Sequence, residues 1–130
     1  MKRDVVFTFS YETYADAAAR GMMRPPDRIL QTLMSSDEVG NLLVANPFRS
    51  LASVAARGIR PAESFPARAD RRLITPTRLA RRDPVSVPAI VRTYRSYDEQ
   101  LRTAAARAGM SRTAVVTTNP LVAAFCPFGW

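Results

Sequence analysis

This chain of 130 residues has no histidine and a single cysteine, Cys126. The first absence removes the commonest general base and metal ligand, and it excludes a Ser-His-Asp or Cys-His centre built within the chain. The second excludes an intrachain disulfide and a cysteine-rich zinc site. No metal and no cofactor is expected. Chemistry here must use carboxylates, hydroxyls, arginine or backbone groups, which argues against a self-contained hydrolase. The five glycines are scattered, so there is no Walker loop, no Gly-x-Gly-x-x-Gly turn and no nucleophile elbow. No apolar stretch approaches the roughly 18–20 residues needed to span a bilayer. Asp4 and Glu12 interrupt any signal-peptide pattern after Lys2 and Arg3. The expectation is a soluble, cytosolic protein.

Lysine is scarce as well: 18 of the 19 basic residues are arginine, and the net charge is +8. Between Arg57 and Arg82 eight arginines face two acids, Glu63 and Asp70. Guanidinium groups pair with phosphate in bidentate fashion, so one reading is a patch for nucleic acid, phosphate or anionic lipid. No aromatic ladder interleaves these arginines and they form no helical stripe. The favoured reading of residues 59–84 is therefore an exposed, arginine-rich connecting region.

An apolar fraction of 47% with 23% charged residues is globular, and the length suits one domain. Val5 to Phe9 is an apolar run of the kind buried on both faces of a sheet. Thr13-x-x-Asp16 fits a capping box opening a helix that runs toward Gly21. Pro26 and Asp27 suit the start of a second helix, with Ile29, Leu30, Leu33 and Met34 on its apolar face. Leu42 to Ala45 predicts another buried strand. Ser50 can cap a helix with Leu51, Val54 and Ala55 inward and Gly58 at its end. Ile59 to Asp70 is expected as loop and Leu73 to Thr75 as a short strand stopped by Pro76, while Arg78 to Pro84 is ambiguous. From Ser86 or Val87 to Ala108, the residues Ile90, Tyr94, Tyr97, Leu101, Ala104 and Ala108 recur at steps of four and three, predicting a long helix ended by Gly109. Arg95 with Glu99, and Asp98 with Arg102, are spaced to pair on its other side. Thr113 to Thr118 is strand-like and leads through Asn119-Pro120 into helical sequence.

Strand, loop and helix alternate at both ends of the chain, which predicts an α/β fold: a Rossmann-like parallel sheet flanked by helices. The second of these units reads as the middle of such a domain, so residues 1–130 are expected to form a single partial one. In a parallel sheet, ligands sit at the carboxyl ends of the strands. Three motifs would converge there: Ser10-Tyr11-Glu12-Thr13, Asn46-Pro-Phe-Arg49 and Thr117-Thr118-Asn119-Pro120. Glu12 is the only carboxylate among them and the local candidate base. Arg24 and Arg49 are candidates to neutralise a diphosphate. The structural alternatives are capping by Ser10, Thr13 and Ser50, and turn initiation by Asn-Pro.

The runs Asp4-Val-Val-Phe-Thr-Phe-Ser10, Arg20-Gly-Met-Met-Arg-Pro-Pro-Asp-Arg28 and Leu43-Val-Ala-Asn-Pro47, with Tyr94-Arg-Ser-Tyr-Asp98 and Val115-Val-Thr-Thr-Asn-Pro120, resemble the opening of bacterial GT-B glycosyltransferases. The resemblance spans most of the chain as a pattern of strands and loops. It implies an N-terminal, acceptor-side Rossmann-like domain of a two-domain enzyme that transfers sugar from a nucleoside diphosphate to a hydroxyl. The donor-binding domain is absent, and Ser10-Tyr-Glu-Thr13 stands where many relatives carry a glycine-rich turn. The resemblance therefore implies an inactive half. A nucleotide-sugar and an acceptor would be ligands only of the full-length enzyme, with a C-terminal lobe or second chain as partner. Nucleic acid is not expected, and peripheral contact with the inner face of the membrane is compatible with the family. The alternatives are a small polyanion-binding module and a partner-binding domain that docks through Phe125, Phe128 and Trp130.

Overall fold

The computed structural model describes residues 2–56 and 65–126. Six strands and five helices alternate along them: β1 (Arg3–Thr8), α1 (Tyr14–Ala19), α2 (Pro25–Ser35), β2 (Val39–Ala45), β3 (Arg49–Ser50), α3 (Leu51–Ala56), β4 (Arg71–Ile74), β5 (Thr77–Arg78), α4 (Val87–Arg107), β6 (Thr113–Thr117) and α5 (Pro120–Phe125). Local chemistry sets most of these boundaries. Thr13 Oγ1 accepts from Asp16 N–H while Thr13 N–H donates back to Asp16, so the capping box that opens α1 is formed. Pro25 and Pro26 occupy the first positions of α2, where a missing N–H costs nothing. Ser86 Oγ accepts from Ala89 N–H to cap α4, and Gly109 turns the chain out of it at a φ of +69°.

Four strands form one parallel sheet in the order β4-β2-β1-β6; β3 and β5 form a separate two-residue parallel ribbon. The central strands β1 and β2 are aliphatic and aromatic on both faces, and helices cover both. Val5, Phe7, Leu42 and Val44 face α1 and α2 in a core with Tyr14, Ala17, Leu30 and Phe65. Val6, Leu43 and Ala45 face α4 and α5 in a second core with Tyr97, Leu101, Ala105 and Val122. The period-two alternation of β1 and β2 thus divides the apolar side chains between two layers. The architecture is Rossmann-like α/β, as the alternation of elements predicts. Helix α4 runs against the strand direction: Tyr97 meets Asn46 at the carboxyl end of β2, while Ser111, just past the helix, meets Asp4 at the amino end of β1.

The structure differs from the sequence expectation at specific places. Ile29 is 46% exposed, because the buried stripe of α2 runs through Asp27 and Leu30 and the residue preceding Leu30 is rotated off it. Leu51, Val54 and Ala55, expected inward, are exposed; α3 follows the small β3–β5 ribbon, outside the four-stranded sheet. The proposed terminator Gly58 lies outside the described residues, as do Phe128 and Trp130. On α4, Asp98 pairs with Arg102 at 2.7 Å but is buried, not on the solvent side.

The largest difference is Arg71, in the region expected to be an exposed connection. It opens β4 and is only 3% exposed. Its guanidinium donates to the carbonyls of Met34, Ser36, Val39, Gly40 and Asp70 at 2.8–3.3 Å. One side chain thereby satisfies the carbonyls where α2 ends and β2 begins, and ties them to the edge strand. Phe65 lies in loop, as expected, but is buried and packs edge-on against Tyr14, with ring centroids 4.9 Å apart.

Candidate functional site

Because β2, β1 and β6 are parallel neighbours, their carboxyl ends lie on one rim, with Thr8 level with Ala45 on one side and Thr117 on the other. The loop after β1 is fastened to the ends of both neighbours. Ser10 Oγ donates to the carbonyl of Thr118 at 3.0 Å. Arg49 Nη2 donates to the carbonyl of Tyr11 at 3.2 Å. Tyr14 N–H donates to Asn46 Oδ1 at 2.9 Å. Beneath them the hydroxyl of Thr8 donates to that of Thr117 at 2.6 Å. The three motifs that the sequence places at strand ends are thus brought together in one polar rim.

The rim residues divide by how much of their bonding capacity is used. Asn46 is buried and spent: besides its contact with Tyr14, its amide donates to Thr75 Oγ1 at 2.9 Å and its carbonyl accepts from Tyr97. Asn119 is a helix cap, its Oδ1 accepting from Leu121 and Val122 N–H. Glu12 lies between Arg20 at 2.6 Å and Arg24 at 2.7 Å, one oxygen on each. Arg20 also forms a bidentate pair with Asp27, and its guanidinium is pushed further up by these carboxylates, Asp27 foremost. Tyr11 stands in solvent.

Arg49 is different. Apart from the Tyr11 carbonyl, its guanidinium has no acceptor among the described residues, and its Nε is buried without one. An unmet buried donor at a strand-end rim is a place where a ligand oxygen gains a charge-assisted hydrogen bond. Asp16 is the nearby carboxylate that the sequence shows only as a cap. The N–H of Thr13 holds it below the usual carboxylate range against the opposing effect of burial, with help from the Thr13 hydroxyl and from Arg49 and Arg20.

A concavity of about 550 Å³ lies between α4 and the edge strand β4, over Leu43, Ile74 and Ala104 with Thr75, Arg72 and Arg107 among its lining residues. Sequence reading gives no sign of it, because its walls come from segments about thirty residues apart that only the crossover brings together.

Fold and rim define the class: a Rossmann-like α/β domain with a polar rim at the carboxyl edge of its parallel sheet. Comparison with protein-family models, with curated proteins and with solved structures finds no match to this chain. Among the described residues, no helix is long and apolar enough to cross a membrane.

Proposed function

We propose that this chain is the acceptor-side half of a GT-B glycosyltransferase, whose family reaction moves a sugar from a nucleoside diphosphate to a hydroxyl. The observation that carries the reading is the Arg49 guanidinium, held over the Tyr11 loop with donors to spare at the carboxyl edge of a parallel sheet, where such folds take their ligands. Its spare donors suit an oxygen-rich acceptor, and the Ser10 hydroxyl and Thr118 form the adjoining wall. By itself the chain is inactive in this reading. It has no glycine-rich phosphate cradle, and Glu12 already pairs with Arg20 and Arg24, the arginines beside the β1 loop.

The polyanion reading draws less support. Of the arginines that suggest it, Arg68 pairs with Asp70 at 3.0 Å, Arg71 is buried on carbonyls and Arg78 pairs with Asp83 at 2.6 Å.

Titration of the ¹⁵N-labelled chain with simple glycosides, nucleotide-sugars and a short single-stranded DNA separates the readings. The expected result is shifts at Ser10, Tyr11, Arg49 and Thr118 with glycosides, lost in Arg49→Ala, and none with nucleotide-sugars. Salt-sensitive shifts with DNA alone would overturn the proposal, as would binding of a nucleotide-sugar at this rim.

A further inference from the structure

Three aliphatic side chains stand in solvent where β5 passes into α4: Leu79 is 84% exposed, Val85 96% and Val87 63%. The segment that carries them is braced. At its root Arg78 donates from Nη1 to the Phe48 carbonyl (3.0 Å), from Nε to the Ala80 carbonyl (3.2 Å) and from Nη2 to Asp83 Oδ1 (2.6 Å). Its guanidinium also lies over the Phe48 ring, 5.9 Å from the centroid. This staple braces the loop, and its outward surface carries the aliphatic side chains, Arg81 and Arg82 together with the Asp83 carboxylate, which is 86% exposed while it pairs with the partly buried Arg78. Arg81 and Arg82 are exposed and pair with no acid among the described residues. Since Asp83 is matched by Arg78, the segment presents two unbalanced positive charges.

The segment lies beyond the carboxyl edge of the sheet. Tyr97 marks where α4 passes the carboxyl end of β2, and the ten residues from Val87 to Tyr97 extend the helix about 15 Å beyond it, at 1.5 Å per residue.

We infer that the Leu79–Val87 segment docks on an anionic lipid bilayer, its aliphatic side chains entering the headgroup–acyl boundary while Arg81 and Arg82 meet lipid phosphates. Exposed aliphatic side chains and arginines on one braced segment suit the two components of peripheral membrane binding. A protein interface is less well matched, because its anchors are chiefly aromatic residues and arginine seated in pockets, and this segment has no aromatic residue. The inference stands independently of the acceptor reading.

Vesicle co-sedimentation tests it, using phosphatidylcholine alone and phosphatidylcholine mixed with phosphatidylglycerol. The full chain is expected to bind the mixed vesicles only, and less as salt rises. R81Q/R82Q should weaken partitioning about thirty-fold, at about 1 kcal/mol for each arginine near an anionic surface. L79S/V85S should also weaken it while leaving the salt dependence in place. All four side chains are exposed, so thermal melting of both variants should match the parent and confirm folding. No binding to mixed vesicles, or binding that survives both variants, would overturn the inference. So would lipid-independent self-association abolished by L79S/V85S, which would make the segment a protein-docking surface.

Discussion

The phenol of Tyr97 donates to the main-chain carbonyl of Asn46 across 3.0 Å, in the buried junction where α4 crosses the end of β2. Burial pushes the Tyr97 hydroxyl far above its ordinary range, so it remains a donor. The Asn46 side chain holds Tyr14 N–H and Thr75 Oγ1 from the same point. Tyr97→Phe should cost about 1–3 kcal/mol, since it leaves a buried acceptor without its donor. Asn46→Ala should cost a similar amount through Tyr14 N–H. Urea unfolding measures both; near-parental stability in both would show that this junction does not hold the rim.

Arg71 offers a stronger test of the fold. Arg71→Ala should destabilise by about 3 kcal/mol or more, because several carbonyls lose one shared donor and a buried one left unpaired costs about 1–3 kcal/mol. Arg71→Lys should recover only part of that, since an ammonium is a point donor and cannot span the ends of α2 and β2 as a planar guanidinium does. Denaturant midpoints decide it: a lysine variant as stable as the parent would mean that charge, not the geometry of the fork, matters.

Asp4 and Gly40 form a close contact at the opposite edge of the sheet. A Cβ on Gly40 would lie 2.8 Å from Asp4 Oδ1, which is itself held by Asn41 N–H at 2.8 Å and has little room to retreat. Gly40→Ala should therefore cost about 1–3 kcal/mol as overpacking, seen as a lower melting temperature.

The same carboxylate predicts a pH dependence. Burial is the largest single influence and pushes Asp4 up, but the combined donation of Asn41 N–H, Ser111 N–H and the Asn41 amide brings it below its ordinary 3.8. Its stabilising contribution is complete above pH 3.8 and is lost as pH falls through the lower folded value. Asp4→Asn should flatten this acid limb in melting curves, leaving the part due to Asp16, which is shifted in the same direction. An unchanged acid limb would remove Asp4 from the account.

Burial, reinforced by Asp98 and opposed by Arg102, pushes the Cys126 thiol up to about 12. The thiol is buried and donates to the Tyr94 carbonyl at 3.4 Å. A thiol-specific reagent at neutral pH should react with it slowly in the native protein and rapidly in urea, because the thiolate is the reactive form. Equal rates would show that α5 opens freely from α4.

Much of the fold is legible in the sequence because it is local. Ser86, the four-three spacing from Ile90 to Ala108, and Gly109 define α4 within a single stretch of chain. Thr13 and Asp16 do the same for α1. Unbroken apolar runs mark β1 and β2 as central strands, and the strand-end motifs can be placed on one rim once the sheet is taken as parallel. Periodicity fails where packing is decided elsewhere. Leu51 and Val54 have helical spacing yet are exposed, because α3 follows the β3–β5 ribbon and not a strand of the four-stranded sheet.

The amino-acid sequence by itself therefore determined most of the segments that become helix or strand, and that no histidine-based centre or intrachain disulfide forms within the chain, since both follow from side-chain type and short-range spacing. Only the tertiary structure decided what each charged residue does. Arg71 is buried on carbonyls, Glu12 is taken up by Arg20 and Arg24, and Arg49 keeps unused donors at the rim. A guanidinium's role depends on which acceptors lie within about 3 Å, and those acceptors come from residues as many as 38 positions away in the chain.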